Sequence, residues 1–437
     1  MTRMTPIAAV AALVVAAALP VQAQSSKEID ELRNELRALR AELEALKKGG
    51  AAPAAKPGEP NWGDRIEQLE IKSKDAVVGG DIGGSFRLPG SETSLRVYGH
   101  AEAQMIVDLK GTAPGDNFTN LPEQPLDRRN AGFTKGKSKL TAETSRFGIE
   151  SSTPSGYGTF NTKLEADFYA YVGSKDVLSN LAGDKTTVSD NNRNRLRLRH
   201  AYGEYAGFLV GQTWSTFMDL DNLPETVDFN GPIGAPFSRR MMVRYTYGDA
   251  KAGVKYTVAL EDPEDGARVP NLVARYDRSF TWGAINVRAL GHEKRVGSET
   301  RRGTGFGVGA SYKLSPDDLL MGQWARVNGD FDMMYGSPGY TTDANGAILF
   351  DRNDGVVLGW AHSFGPKLRS NVVLGMNRSK GDPVFDNKRL TQLHVGAIYV
   401  PMKNIELGAE YIHATRKTFD NDTGTMSRFD FMGRYSF

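Results

Sequence analysis

The chain has 437 residues, with 54 basic and 52 acidic side chains for a formal charge of +2, 48 glycines and no cysteine. This near balance excludes the strongly basic domain that a nucleic-acid binder needs. The absence of cysteine excludes disulfides, thiolate metal sites and thiol nucleophiles, whereas low mean hydropathy leaves a membrane barrel open, because alternating apolar and polar residues average out as soluble.

The chain begins with Arg3, an apolar run from Ile7 to Leu19, and the small-residue site Val21-Gln22-Ala23. This reads as a secretory signal peptide over residues 1–23, cut before Gln24. The run is too short for a transmembrane helix and no second long apolar stretch follows. Ile29, Leu32, Leu36, Leu39, Leu43 and Leu46 then alternate spacings of three and four, the a/d seam of a short coiled coil in residues 24–48. Fewer than three heptads are marginal alone, and a single amphipathic surface helix is the competing reading. Residues 49–60 (GGAAPAAKPGEP) are a Pro/Ala/Gly linker, which continues as a lead-in segment to residue 94.

From Leu95 to the C-terminus the hydrophobic period becomes two. Leu95, Val97, Ala101, Ala103, Met105 and Val107 oppose Arg96, Tyr98, His100, Glu102 and Gln104. Later, Met241, Val243, Tyr245 and Tyr247 oppose Arg240, Met242, Arg244 and Thr246. Short turns, such as residues 154–158 and 315–318, alternate with longer polar segments such as 111–133 and 328–354. Short turns at one rim and long loops at the other predict an all-β transmembrane barrel of about 16 antiparallel strands over residues 95–437. Residues 139–149 and 208–217 break phase. In the last strand Phe429, Phe431, Tyr435 and Phe437 share one face, and Arg428, Asp430, Arg434 and Ser436 the other. Four aromatics in water would invite aggregation. Against lipid, with the charged face turned to a wet lumen, the strand is stable. The expected location is the bacterial outer membrane, with its lipid as partner and the coiled coil in the periplasm. The C-terminal strand is the expected signal to the outer-membrane assembly machinery.

Arg195, Arg197 and Arg199 alternate with Leu196 and Leu198. Facing lipid at mid-membrane each would cost a few kcal/mol, so they line the lumen, and Arg240 and Arg244 do so by the same logic. They form either an anion-attracting ladder or struts paired with lumen carboxylates. Residues 218–237 are a long polar loop carrying Asp219, Asp221, Glu225, Asp228 and three prolines. Folded inward, its acids would face the arginines across a narrow pore in a transverse field; the alternative is an external surface loop. These acids lack the spacing of a calcium-binding EF-hand. Gly303, Gly305, Gly307 and Gly309 alternate within a strand that no helix follows, so they are not a phosphate-binding loop. A face without side chains leaves room for neighbouring bulk or for an inward loop. The six histidines are scattered, and neither an H-E-x-x-H nor a G-x-S-x-G motif occurs. No catalytic residue, metal or cofactor is expected.

Residues 85–99 (SFRLPGSETSLRVYG), Leu196-Arg-Leu-Arg-His-Ala-Tyr202, Gly211-Gln-Thr-Trp-Ser-Thr-Phe217 and Pro224-Glu-Thr-Val-Asp-Phe-Asn-Gly231 resemble segments of the DcaP-like porins. Ser145-Arg-Phe-Gly148 is similar to a motif shared by general trimeric porins. The resemblance implies a homotrimeric, 16-stranded outer-membrane channel for small, often anionic, organic solutes. It also implies that Asp219 to Pro236 is the constriction loop, with Arg197 and Arg199 near the eyelet. Residues 233–237 match no fixed family pattern. The resulting expectation is a non-enzymatic porin for passive diffusion of small hydrophilic solutes, favouring anions such as carboxylates. A structural envelope anchor, with a closed barrel and a periplasmic coiled coil, is the competing function.

Overall fold

The structure, a computed structural model, describes residues 78–111, 118–127, 136–170, 195–263, 267–381 and 386–437, together with Arg37. The expected signal peptide, the coiled coil apart from Arg37, and the linker as far as residue 77 lie outside the described residues. So does most of residues 111–133, one of the long polar segments.

Short strands β1 (Val78–Gly79) and β2 (Phe86–Arg87) precede the long strand β3 (Ser94–Lys110). There follow β4 (Lys137–Thr141), β5 (Arg146–Ser155), β6 (Gly158–Ala170), β7 (Arg195–Tyr205) and β8 (Phe208–Trp214). The middle of the chain forms β9 (Arg239–Asp249), β10 (Val254–Glu261), β11 (Asn271–Phe280), β12 (Gly283–Val296), β13 (Glu299–Lys313) and β14 (Asp318–Asn328). A separate pair, β15 (Tyr340–Thr342) with β16 (Ile348–Phe350), lies within a loop. The chain ends with β17 (Arg352–Ser363), β18 (Leu368–Ser379), β19 (Asn387–Tyr399), β20 (Ile405–Thr418) and β21 (Thr423–Ser436).

Two compact units are distinguished. In the smaller, which holds the described residues up to Val97 with Glu150–Asn161, β1 pairs with β2 and β2 with the first residues of β3. There the Arg96 guanidinium pairs with the Glu150 carboxylate. The larger, Tyr98–Ile149 with Thr162–Phe437, holds most of the sheet. Successive strands pair antiparallel, and β21 pairs with β3 from Ser427↔Lys110 to Ser436↔His100, which closes the sheet on itself. β4 and β5 are two halves of one strand interrupted at residues 142–145, and with them counted once the barrel has 16 strands. The interruption explains one of the two breaks in alternation. The other, residues 208–217, is a break in sequence only: burial alternates throughout β8, with apolar Leu209 facing inward, and residues 215–217 have already left the strand. Within β8 Gly211 has φ +135° and a Cβ would strike the Ala201 carbonyl, so only glycine fits.

Closure satisfies every ladder hydrogen bond without an exposed edge, the condition for strands in hydrocarbon. Its consequence is an inverted distribution of side chains. Phe429, Phe431 and Tyr435 are 38%, 43% and 53% exposed, whereas Arg428 and Asp430 between them are 0% exposed. Phe437 completes the seam: its N–H donates to the Gly99 carbonyl at 3.0 Å and its carbonyl accepts from the Gly99 N–H at 3.2 Å. Removal of Phe437 is therefore expected to lower the yield of folded barrel in the membrane, read as loss of the heat-modifiable band in electrophoresis; wild-type yield would contradict this account of closure.

Candidate functional site

The segment between β8 and β9, residues 215–238, turns into the barrel and lies against inward-facing side chains of distant strands. At its start the Ser215 hydroxyl and the Thr216 N–H both donate to Glu261 of β10, each at 2.7 Å. Asp219 is fully buried. Its carboxylate accepts from Asn286 Nδ2 at 2.7 Å and lies 3.6 Å from Arg275 and 3.7 Å from Arg288. Asp221, exposed, is 3.3 Å from Arg275. Glu225 accepts both forks of Arg369 on β18 at 2.8 Å. The Val227 and Asp228 N–H groups donate to Glu410 of β20 at 3.0 and 3.2 Å, and His394 holds that carboxylate from β19 at 2.9 Å. Asp228 accepts from the Thr119 hydroxyl, and burial raises its carboxyl above the usual aspartate range. Further on, the Ile233 N–H donates to Gln392 at 3.0 Å.

The wall is shaped to receive this loop. On β13 a Cβ at Gly309 would overlap the Asp219 carboxylate, and one at Gly305 would lie 3.0 Å from the Phe217 ring. On β17 a Cβ at Gly359 would strike the Pro224 ring, and one at Gly355 the Gly234 carbonyl. The alternating glycines of residues 303–309 are thus a bare stripe on which loop atoms and the Arg288 side chain lie.

The other side of the lumen is built differently. Arg197 donates to both oxygens of Asp167 at 2.9 and 2.6 Å, and Arg199 bridges Glu165 at 2.7 Å and Asp167 at 2.8 Å. Arg146 and Lys163 also approach Glu165, at 3.6 and 3.9 Å. Arg239 lies over the Trp214 ring, 4.3 Å from its centroid, and its buried Nη1 has no hydrogen-bond partner among the described residues. Among the described residues, Arg146, Lys163, Arg197 and Arg199 therefore converge on Glu165 and Asp167, with Arg239 beside them. The loop contributes only rings here: Phe229 against Tyr169 with centroids 5.0 Å apart, and Phe237 against Trp214 at 5.1 Å. Arg197 rests over the Tyr169 ring at 4.9 Å.

This geometry revises two expectations. The ion-pair partners of the loop acids are not Arg197 and Arg199. Asp219, Asp221 and Glu225 pair with Arg275, Arg288 and Arg369, and Asp228 accepts from Thr119. Asp219 and Asp228 are buried, and a buried carboxylate needs partners at contact distance, whereas Asp221 and Glu225 stay exposed. Arg240 points inward but is fully buried, 3.4 Å from Asp330 and 3.0 Å from Asp332, and its Nη1 donates to the Asp262 carbonyl at 2.9 Å. It is a strut rather than part of the open wall. Arg244, four residues along and half-buried, has no carboxylate within ion-pair distance among the described residues. Arg195 is the first residue of β7, and its side chain is not among those described. The sequence reading missed Arg146, Lys163 and Arg239 in the wall, and Arg275, Arg288 and Arg369 behind the loop. Arg146 sits in the Ser145-Arg-Phe-Gly148 motif, and Lys163 alternates with Thr162 and Leu164 on the face of Glu165 and Asp167, so both could have been found. Among the described residues no group of three or more His, Asp or Glu could hold a metal.

A closed antiparallel barrel, aromatic outside and charged inside, with a loop seated in its lumen, defines an outer-membrane channel of the porin class. A sequence profile described as DcaP outer membrane protein matches residues 87–437, and the chain belongs to that family. Similar solved structures include the outer-membrane channel DcaP of Acinetobacter baumannii, 26% identical at a TM-score of 0.70, covering 82% of this chain and 100% of that one. An anion-selective porin from Comamonas acidovorans is 12% identical at 0.54, covering 79% and 100%. OmpT of Vibrio cholerae is 15% identical at 0.52, covering 80% and 99%. The last two likenesses speak for the fold alone. No curated protein sequence matches significantly.

Two substitutions test the seating of the loop. Gly359→Val should lift it from the wall at a cost of about 1–3 kcal/mol, giving larger, noisier single-channel currents; unchanged currents would contradict the fit. Arg288→Met leaves Asp219 short of a buried counter-charge and should destabilise by about 3 kcal/mol in denaturant unfolding. Adding Asp219→Leu should recover a large part of that loss.

Proposed function

We propose that the protein is a porin for passive diffusion of small hydrophilic solutes that favours organic anions such as carboxylates. The observation that carries this reading is the concentration of cations on the β6–β9 wall, where Arg146, Lys163, Arg197 and Arg199 gather on Glu165 and Asp167 and Arg239 lies beside them over Trp214. The loop acids are engaged first by other cations, Asp219 and Asp221 by Arg275 and Glu225 by Arg369. A net positive wall in a narrow, weakly screened passage raises the local concentration of anions, an effect that falls as salt rises.

Conduction also requires that an anion leave. Arg197 and Arg199 already spend most of their forks on Asp167 and Glu165, so an entering carboxylate meets attraction rather than a deep trap. Arg239, whose guanidinium lies over the Trp214 ring, adds its charge to the attraction of this wall. The chain is further proposed to form a homotrimer, with residues 24–48 as an accessory periplasmic coil; mass measurement of the purified protein tests this, and a monomer would refute it.

Planar-bilayer recording separates the porin from a closed envelope anchor, since the anchor carries no steady current. Under a salt gradient at low ionic strength the reversal potential is expected on the anion side. The double substitution Arg197→Ala, Arg199→Ala leaves two carboxylates without their main partners and should shift selectivity towards cations. A cation-selective wild type would reduce those arginines to wall struts.

A further inference from the structure

We infer that one arc of the outer rim binds the phosphate groups of an outer-leaflet glycolipid. Across five neighbouring strands Arg326 stands opposite Asp354, Asp354 opposite Arg378, Arg378 opposite Arg389, and Arg389 opposite Lys417. Arg352 and Lys380, next to one another at the same end, extend the row, with the Lys380 N–H donating to the Arg352 carbonyl at 2.7 Å. All these side chains point away from the lumen, for they alternate with the buried Val327, Asn353, Asn377, Leu390 and Thr418. This is the end of the barrel that carries the longer loops, the extracellular side of such proteins.

Charge within the row is unbalanced. Asp354 accepts from Arg326 at 2.6 Å and also pairs with Lys380. Among the described residues Arg352, Arg378, Arg389 and Lys417 have no carboxylate within ion-pair distance. Like charges directly opposite on a sheet destabilise it, and Arg378, Arg389 and Lys417 are consecutive cross-strand neighbours. An anion shared among them removes that penalty, and arginine forks match phosphate oxygens in pairs.

The row is also placed against lipid. Next below it on the same outward faces come Val356, Leu358 and Trp360 of β17, Met376, Leu374 and Val372 of β18, and Leu393 and Val395 of β19. A single amphiphile can therefore set acyl chains on these residues and phosphates on the cations, whereas a soluble polyanion would leave the apolar half unused. The row differs from the rest of this end: the outward faces of β3 and β7 finish in the exposed Leu109 and Leu196, and on β12–β13 the outward Arg302 stands opposite Glu293, 3.8 Å away.

The inference rests on the outer-membrane placement and is independent of solute preference. Its test uses the full-length protein in detergent, titrated with rough lipopolysaccharide and followed by the thermal unfolding midpoint. Wild type should be stabilised. Each cation near an anionic lipid surface is worth about fivefold in affinity, so Arg378→Gln, Arg389→Gln, Lys417→Gln together should weaken the response roughly a hundredfold, with channel conductance unchanged. Phosphatase-treated lipopolysaccharide and inorganic phosphate should give little stabilisation. Equal titration of variant and wild type would overturn the inference, as would an undiminished effect of the dephosphorylated glycolipid or an equal effect of free phosphate. If the triple variant does not fold, Arg389→Gln alone should lose about fivefold, and an unchanged affinity there counts equally against the row.

Discussion

Everything in this barrel follows from the requirement that no backbone amide in hydrocarbon be left unpaired. The pairing of β21 with β3 meets it by removing both edges of the sheet. Once the sheet is a cylinder, each strand has one face in lipid and one in a wet interior, and side chains sort accordingly. The result reverses a soluble protein: Arg428 and Asp430 of β21 are fully buried, whereas its Phe429, Phe431 and Tyr435 are exposed.

Charges gathered into such an interior must be matched, and the two sides of the lumen differ in how fully this is done. Behind the loop the matching is close. Asp219 meets Asn286, Arg275 and Arg288, and Glu225 takes both forks of Arg369. These pairs hold a segment that has no regular secondary structure of its own. On the β6–β9 wall several cations instead share the same two carboxylates, Glu165 and Asp167. Under the proposed anion preference the two sides are complementary: a positive wall can select only when the opposite boundary does not move.

Much of the fold was legible because lipid and water impose a period of two on every strand, which requires no knowledge of partners. One break was legible as well: the interruption before Arg146 appeared as lost alternation, whereas the apparent break at residues 208–217 reflects the inward Leu209 and the end of β8 at Trp214. The site was harder. Arg240 and Arg244 share a strand face and look equivalent, yet Arg240 is locked by Asp330 and Asp332, 90 and 92 residues further on. Similarly, Glu225 and Arg369 are 144 residues apart. Alternation tells which way a side chain points but not what has been brought opposite it. The glycines of residues 303–309 were the exception, since an absence of side chains signals an occupant whose identity can stay unknown.

The loop's attachments also have a direction along the chain. Residues 215–238 precede β10 to β20, yet nearly every group that fastens them comes from those later strands, as in the 183-residue separation between Val227 and Glu410. Contacts of such separation form slowly, because the intervening chain must be ordered first. The seating of the loop is therefore a late event in folding, completed only as the C-terminal half of the sheet arrives around a segment already made. A barrel caught before that point has its walls but not the segment that lies in its lumen, so the seated loop itself reports that assembly has finished.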